Sequence, residues 1–132
     1  MPIYINYNQK YYNQKYYNQK YYNQKYYNGD IKYNSFEEIF SKINNYDEIV
    51  YIDCYNNQLT SLPKLPNSLQ ELYCDNNKLT SLPKLLNSLQ ELDCSNNQLT
   101  ELPELPKSLQ ILYYRGNKFI KTHKYKYLHK FY

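Results

Sequence analysis

Residues 69–88 read LQELYCDNNKLTSLPKLLNS, and residues 89–108 read LQELDCSNNQLTELPELPKS. The same 20-residue unit occupies Ile49 to Ser68 and begins again at Leu109, running to about Ile120. Its shared pattern is L-x-x-L-x-C-x-x-N-x-L-x-x-L-P-x-L-P-x-S. One column holds Cys54, Cys74 and Cys94, with Tyr114 in the last copy. A second holds Asn57, Asn77, Asn97 and Asn117, and a third Leu59, Leu79, Leu99 and Phe119. A period of this length marks a repeat architecture in which each unit covers its neighbour.

Within one unit, Leu69, Leu72 and Cys74 are spaced to turn inward, the last pair at the period of a strand. Glu71, Tyr73 and Asp75 then face the other way, toward solvent. A single strand cannot bury its apolar side, so copies must stack into a parallel sheet with strands ~4.8 Å apart. The asparagine column falls where the chain turns, and a side-chain amide there can bond the backbone of the next coil. Leu62-Pro63 and Leu65-Pro66 hold the return segment extended, because proline disfavours helix at itself and at the residue before it. The expected convex side is polyproline-like, with few or no helices.

The pattern resembles that of the leucine-rich-repeat family, L-x-x-L-x-L-x-x-N/C-x-L. The resemblance covers residues 49–120. The L-P-x-L-P ending and the 20-residue length resemble the shortest repeat class, found in bacterial effectors of the invasion-plasmid-antigen type and in repeat proteins of giant DNA viruses. The departures are cysteine at the third strand leucine, Leu86 where a second proline is expected, and a fourth copy without L-P-x-L-P. The resemblance implies a leucine-rich-repeat solenoid, α/β by convention, with a curved parallel sheet on its concave side. It also implies binding of a protein partner on that side. Carried over by position, the binding face is Tyr51, Asp53, Tyr55, Glu71, Tyr73, Asp75, Glu91, Asp93, Ser95, Ile111, Tyr113 and Arg115. Tyrosines offer contact area at low entropy cost, and the acids would steer a partner with a basic surface. The bland alternative is a solvated sheet face, since four strands span only ~20 Å.

A stack needs capped ends. Ser35 with Glu38 makes a capping box, and Phe36, Ile39, Phe40 and Ile43 share one helical face. The sequence therefore predicts a short lid helix over 35–44. The first 29 residues are different: Tyr-Tyr-Asn-Gln-Lys recurs from Tyr11 to Lys25, with worn copies on either side. A period of five suits neither helix nor strand, so the tract reads as low-complexity and disordered. The organisation is a tract over 1–29, a helical N-cap over 30–48, about 3.5 repeats over 49–120, and a flexible, basic, aromatic tail over 121–132.

The net charge of +4 averages three unlike blocks. Residues 1–29 carry four lysines and no acid; residues 30–104 carry all twelve acids against five lysines; residues 105–132 carry seven cations and no acid. The basic ends interleave lysine with aromatics, which supports a rival reading as nucleic-acid or other polyanion binding. A third reading is a drifting member of an expanded repeat family with no defined partner. No catalytic constellation is visible: His123 and His129 lie in the tail, and Gly29 and Gly116 make no phosphate loop. The effector class carries a ubiquitin-ligase domain after its repeats; with this chain ending at Tyr132, no such activity is expected. The cysteine column lacks close C-x-x-C pairs and reads as small apolar filling rather than a metal site, so neither metal nor cofactor is expected. Three cysteines, no secretory signal and no transmembrane run suggest an intracellular, cytoplasmic monomer.

Overall fold

The computed structural model describes residues 1–7, 31–119 and the backbone of a strand at 130–131. The described elements are β1 (Ile3–Asn6), β2 (Ile31–Tyr33), helix α1 (Phe36–Lys42), a 3-10 turn (Tyr46–Glu48), β3 (Tyr51–Asp53), β4 (Glu71–Tyr73), β5 (Glu91–Asp93), β6 (Ile111–Tyr113) and β7 (Lys130–Phe131). They form one sheet in the order β2-β1-β3-β4-β5-β6-β7. From β3 to β7 every pairing is parallel. Strand β1 pairs antiparallel with both β2 and β3.

The 20-residue period becomes a register. Ile52, Leu72 and Leu92 lie side by side across β3, β4 and β5, and Leu112 continues the row on β6. All four side chains are fully buried, as are Cys54, Cys74 and Cys94. Leu69, Leu79, Leu89 and Leu99 complete the filling from the turns. Each buried leucine contributes about 1.5–3 kcal/mol of transfer free energy, and it does so only because the adjacent coil is present. The return segments after each turn are extended: no helix interrupts 49–119 among the described residues. They are tied by Lys78 N–H to Leu59 O, Gln98 N–H to Leu79 O and Lys118 N–H to Leu99 O, each at 2.8 Å. The hydroxyls of Ser88 and Ser108 donate to the carbonyls of Leu69 and Leu89 at 2.7 and 2.6 Å. That accounts for the serine column, which closes each coil onto the one before.

The asparagine side chains bond backward. Asn77 accepts from the N–H groups of Asn57 (2.9 Å) and Leu59 (3.0 Å) with Oδ1. Its amide donates to the carbonyls of Cys54, Cys74 and Asp75. The bonds run to the preceding coil and its own, whereas the sequence suggested the next coil. Asn97 and Asn117 repeat the arrangement, accepting from Leu79 N–H and Leu99 N–H at 3.0 Å. Asn57 has no earlier repeat to hold, and its amide reaches Pro2 O at 3.4 Å instead. The residue before each ladder asparagine adopts positive φ: Asn56, Asn76 and Asn96 at 55–57°, and Gly116 at 76°. Asparagine tolerates the left-handed region better than other non-glycine residues, and glycine enters it freely.

Both ends differ from the sequence expectation. Residues 3–6, expected to belong to a disordered tract, form the buried strand β1, with Ile3 and Ile5 in the core. The reason is an apolar alternation, Ile3-Tyr4-Ile5-Asn6, that fits the open edge of the first coil. The Tyr-Asn-Gln-Lys copies from Asn8 to Asp30 lie outside the described residues. At the other end, Lys130–Phe131 adds a parallel strand, pairing Phe131 with Leu112, so that part of the tail belongs to the sheet. Residues 120–129 and Tyr132 lie outside the described set.

The lid helix is present and shorter than its apolar pattern. Ser35 Oγ accepts from Glu38 N–H at 3.1 Å, and the Glu38 carboxylate accepts from Asn34 N–H. Phe36 and Ile39 are buried, but Phe40 is 47% exposed. Its ring stacks on Phe36 at 6.4 Å and tilts against Tyr46 at 4.9 Å. Tyr46 in turn donates from its hydroxyl to Lys64 O at 2.6 Å, which fastens the cap to the back of the first coil.

Candidate functional site

The inner face of the sheet carries the residues picked out by position, in two cross-strand rows. Register places Lys32, Tyr4, Asp53, Tyr73, Asp93 and Tyr113 in one row. Asn6, Tyr51, Glu71, Glu91 and Ile111 form the other. Tyr55, Asp75, Ser95 and Arg115 follow the strands as a column. Tyr4, Asn6 and Lys32 were missed by sequence reasoning. The alternation in Ile3–Asn6 signalled Tyr4 and Asn6, but it was read as part of the adjoining tract.

Direction was legible in the sequence; exposure was not. The expectation of a solvent-facing row is corrected at its centre. Tyr73 is 0% exposed, Asp93 2%, and Glu71, Asp75 and Glu91 each 7%. Tyr51 is buried as well, whereas Asp53, Tyr55, Ser95, Ile111 and Tyr113 are half-buried and Arg115 is exposed. One physical reason is size: a tyrosine ring is longer than the ~4.8 Å between strands, so it overlaps its neighbours. The rings of Tyr51 and Tyr73 pack at 5.5 Å, with Val50 against them. Tyr73 donates from its hydroxyl to Glu71 Oε2 at 3.4 Å, and Tyr51 to Asp53 Oδ2 at 3.3 Å.

These contacts order the carboxylates. Asp53 Oδ1 accepts from Tyr55 N–H at 3.2 Å, and Asp93 Oδ1 from Ser95 N–H at 3.1 Å and from the Ser95 hydroxyl. Asp75 Oδ2 accepts from the Asn76 amide at 3.0 Å. Burial pushes the Tyr73 phenol well above its ordinary pKa, and the carboxylates of Glu71 and Glu91 push it further the same way. It is therefore a neutral donor. The arrangement can present a fixed pattern of phenols and carboxylates, and it holds those groups by packing rather than in a pocket.

The thiols face the core. Cys54, Cys74 and Cys94 are unpaired and buried, and burial raises the pKa of each. Among the described residues, no group of three or more His, Cys, Asp or Glu is arranged to hold a metal ion. No helix of the described residues is long and apolar enough to cross a membrane. His123, His129 and the lysines at 10–25 and 121–126 lie outside the described residues.

Comparison with known proteins places the repeats. Residues 68–89 and 88–109 each match the family model described as Leucine Rich Repeat. Among solved structures, the chain is similar to one described as a Shigella effector LRR domain. The two are 38% identical over a match that covers 49% of this chain and 30% of that one, with a TM-score of 0.48. The chain thus spans about a third of the structure it matches. No curated protein matches the sequence. The two adjacent repeat matches and the stacked 20-residue coils with their asparagine ladder identify residues 68–109 as leucine-rich repeats within a leucine-rich-repeat solenoid.

Proposed function

We propose that this chain is a protein-interaction module that receives its partner on the inner face of the sheet. Leucine-rich-repeat stacks create extended concave surfaces suited to that task. The observation that carries the reading is the register of the inner face. Parallel pairing holds Asp53, Tyr73, Asp93 and Tyr113 in one line and Tyr51, Glu71, Glu91 and Ile111 in another. A row of rigid aromatic and polar groups at fixed spacing is a low-entropy contact surface. The central residues are already covered in the free chain, so first contact falls on Asp53, Tyr55, Ser95, Ile111, Tyr113 and Arg115.

The test uses accessible residues, since truncating Tyr73 would also damage packing. A Tyr55→Ala, Tyr113→Ala variant and a back-face Lys64→Ala, Lys84→Ala variant are compared with the unaltered chain. Crosslinking capture from the native cell is followed by mass spectrometry. A partner kept by the back-face variant and lost by the inner-face variant supports the reading. A partner lost only with the back-face variant, or insensitive to both, overturns it.

A further inference from the structure

The inner face is acidic at its covered centre and different in kind on the fourth coil. On the fourth coil the accessible side chains are Ile111, Tyr113 and Arg115. Arg115 stands in the column of Tyr55, Asp75 and Ser95, so a cation occupies a position that is neutral or acidic in the other coils. Its side chain is exposed and forms no ion pair or hydrogen bond among the described residues. Its only described bond is through the backbone, where its carbonyl accepts from Asn96 N–H at 2.8 Å. The surrounding charge has the same sign. After Glu104 the sequence has no acid, and the described cations there are Lys107, Arg115 and Lys118.

We infer that the fourth coil of the inner face docks an acidic protein segment, one that presents a carboxylate to Arg115 beside an apolar side chain for Ile111 and Tyr113. The inference rests on the inner-face reading above and reverses the partner charge that the overall acid count suggests. Charge complementarity selects this occupant. A guanidinium offers paired donors in a plane that match a carboxylate, and its net worth is greatest where adjacent apolar surface excludes water. Ile111 and the ring of Tyr113 supply that surface. Asp75 and Asp93, the acids of the two preceding coils on this side of the face, do not compete for Arg115, since both are buried and take donors of their own from Asn76 and Ser95. A basic segment docking on the fourth coil would meet the like charge of Arg115, which slows association.

The experiment uses the full chain, labelled with nitrogen-15, and two pools of 12-residue peptides. One pool combines Asp and Glu with Leu, Ile and Phe; the other combines Lys and Arg with the same apolar residues. The expected result is that the acidic pool shifts the amides of Ile111, Tyr113 and Arg115. Arg115→Glu should weaken that binding by about tenfold or more, the size of effect seen when one partner of an interfacial charge pair is lost, and Arg115→Lys should restore part of it. Because Arg115 is exposed, the fold is checked directly by the Lys118 amide, which bonds Leu99 O in every properly folded variant. Binding of the basic pool at these amides, or acidic-pool binding indifferent to Arg115→Glu, overturns the inference and leaves the inner-face reading standing. If neither pool moves any inner-face amide, both fall together.

Discussion

Replacing Asn77 by alanine tests how strongly the turn column ties one coil to the next. The Asn77 side chain is 8% exposed. It accepts from two backbone N–H groups of the preceding coil, Asn57 and Leu59, and donates to three carbonyls, those of Cys54, Cys74 and Asp75. Alanine would strand both N–H groups. A buried donor left unpaired costs about 1–3 kcal/mol. Asn57 and Leu59 are half-buried, so water can reach part of the gap, and the lower half of the range applies to each. The sum is about 3 kcal/mol, a large share of the roughly 5–15 kcal/mol that holds a small domain together. The assay is urea unfolding of the full chain, with Lys78→Ala as the control, because Lys78 is exposed and its backbone bond is untouched. The midpoint of Asn77→Ala should fall far below that of the control at unchanged slope. A loss of less than about 1 kcal/mol would refute the reasoning, because it would mean the stranded donors find other partners at no cost.

Four other outcomes follow from the same structure. Ile5→Ala should destabilise the whole stack by about 2–5 kcal/mol, the range for deleting a buried isoleucine side chain, since Ile5 is fully buried between β2 and β3; a thermal midpoint equal to the unaltered chain would show that β1 is dispensable. Gly116→Ala should lower the thermal midpoint, because φ is 76° and the added carbon would fall 2.2 Å from Asn96 Oδ1; no change would mean that the Asn96 side chain swings aside freely. Alkaline pH should destabilise the fold. Burial raises the pKa of Cys54, Cys74, Cys94 and Tyr73, so each ionises more readily in the unfolded chain and favours unfolding when it does. Their contribution is fully present below the unfolded thiol value of about 8.5 and is lost as pH rises past it, then further past about 10 for the phenol. Urea midpoints at pH 7 and pH 10 check this, and an equal or higher midpoint at pH 10 contradicts it. In the same state the thiols should resist alkylation until the chain unfolds.

Residues 49–119 were the most legible part of the chain, and the reason is redundancy. Each residue type recurs at the same place in successive coils, so Leu72, Cys74, Asn77 and Leu79 could each be assigned a side from pattern alone. The lid helix was legible from Ser35, Glu38 and the apolar face, although the exposure of Phe40 was not. That depends on how far the helix leans over the first coil, which no local pattern encodes. The candidate site was legible in membership only. Tyr4, Asn6 and Lys32 join it from strands far away in sequence, through antiparallel pairing that has no period to betray it.

The sequence by itself determined the repeat, the direction of each side chain on its strand and the extended return segments, because these follow from spacing, from proline and from the period of two. The tertiary structure alone decided which edge of the first coil β1 occupies, that the ladder asparagines bond backward, and that the central acids of the inner face are covered while Arg115 is open. Those properties arise between coils. Burial and hydrogen bonding at such a position depend on what the neighbouring strand, or a strand from the other end of the chain, brings into contact, and a linear pattern carries no record of that.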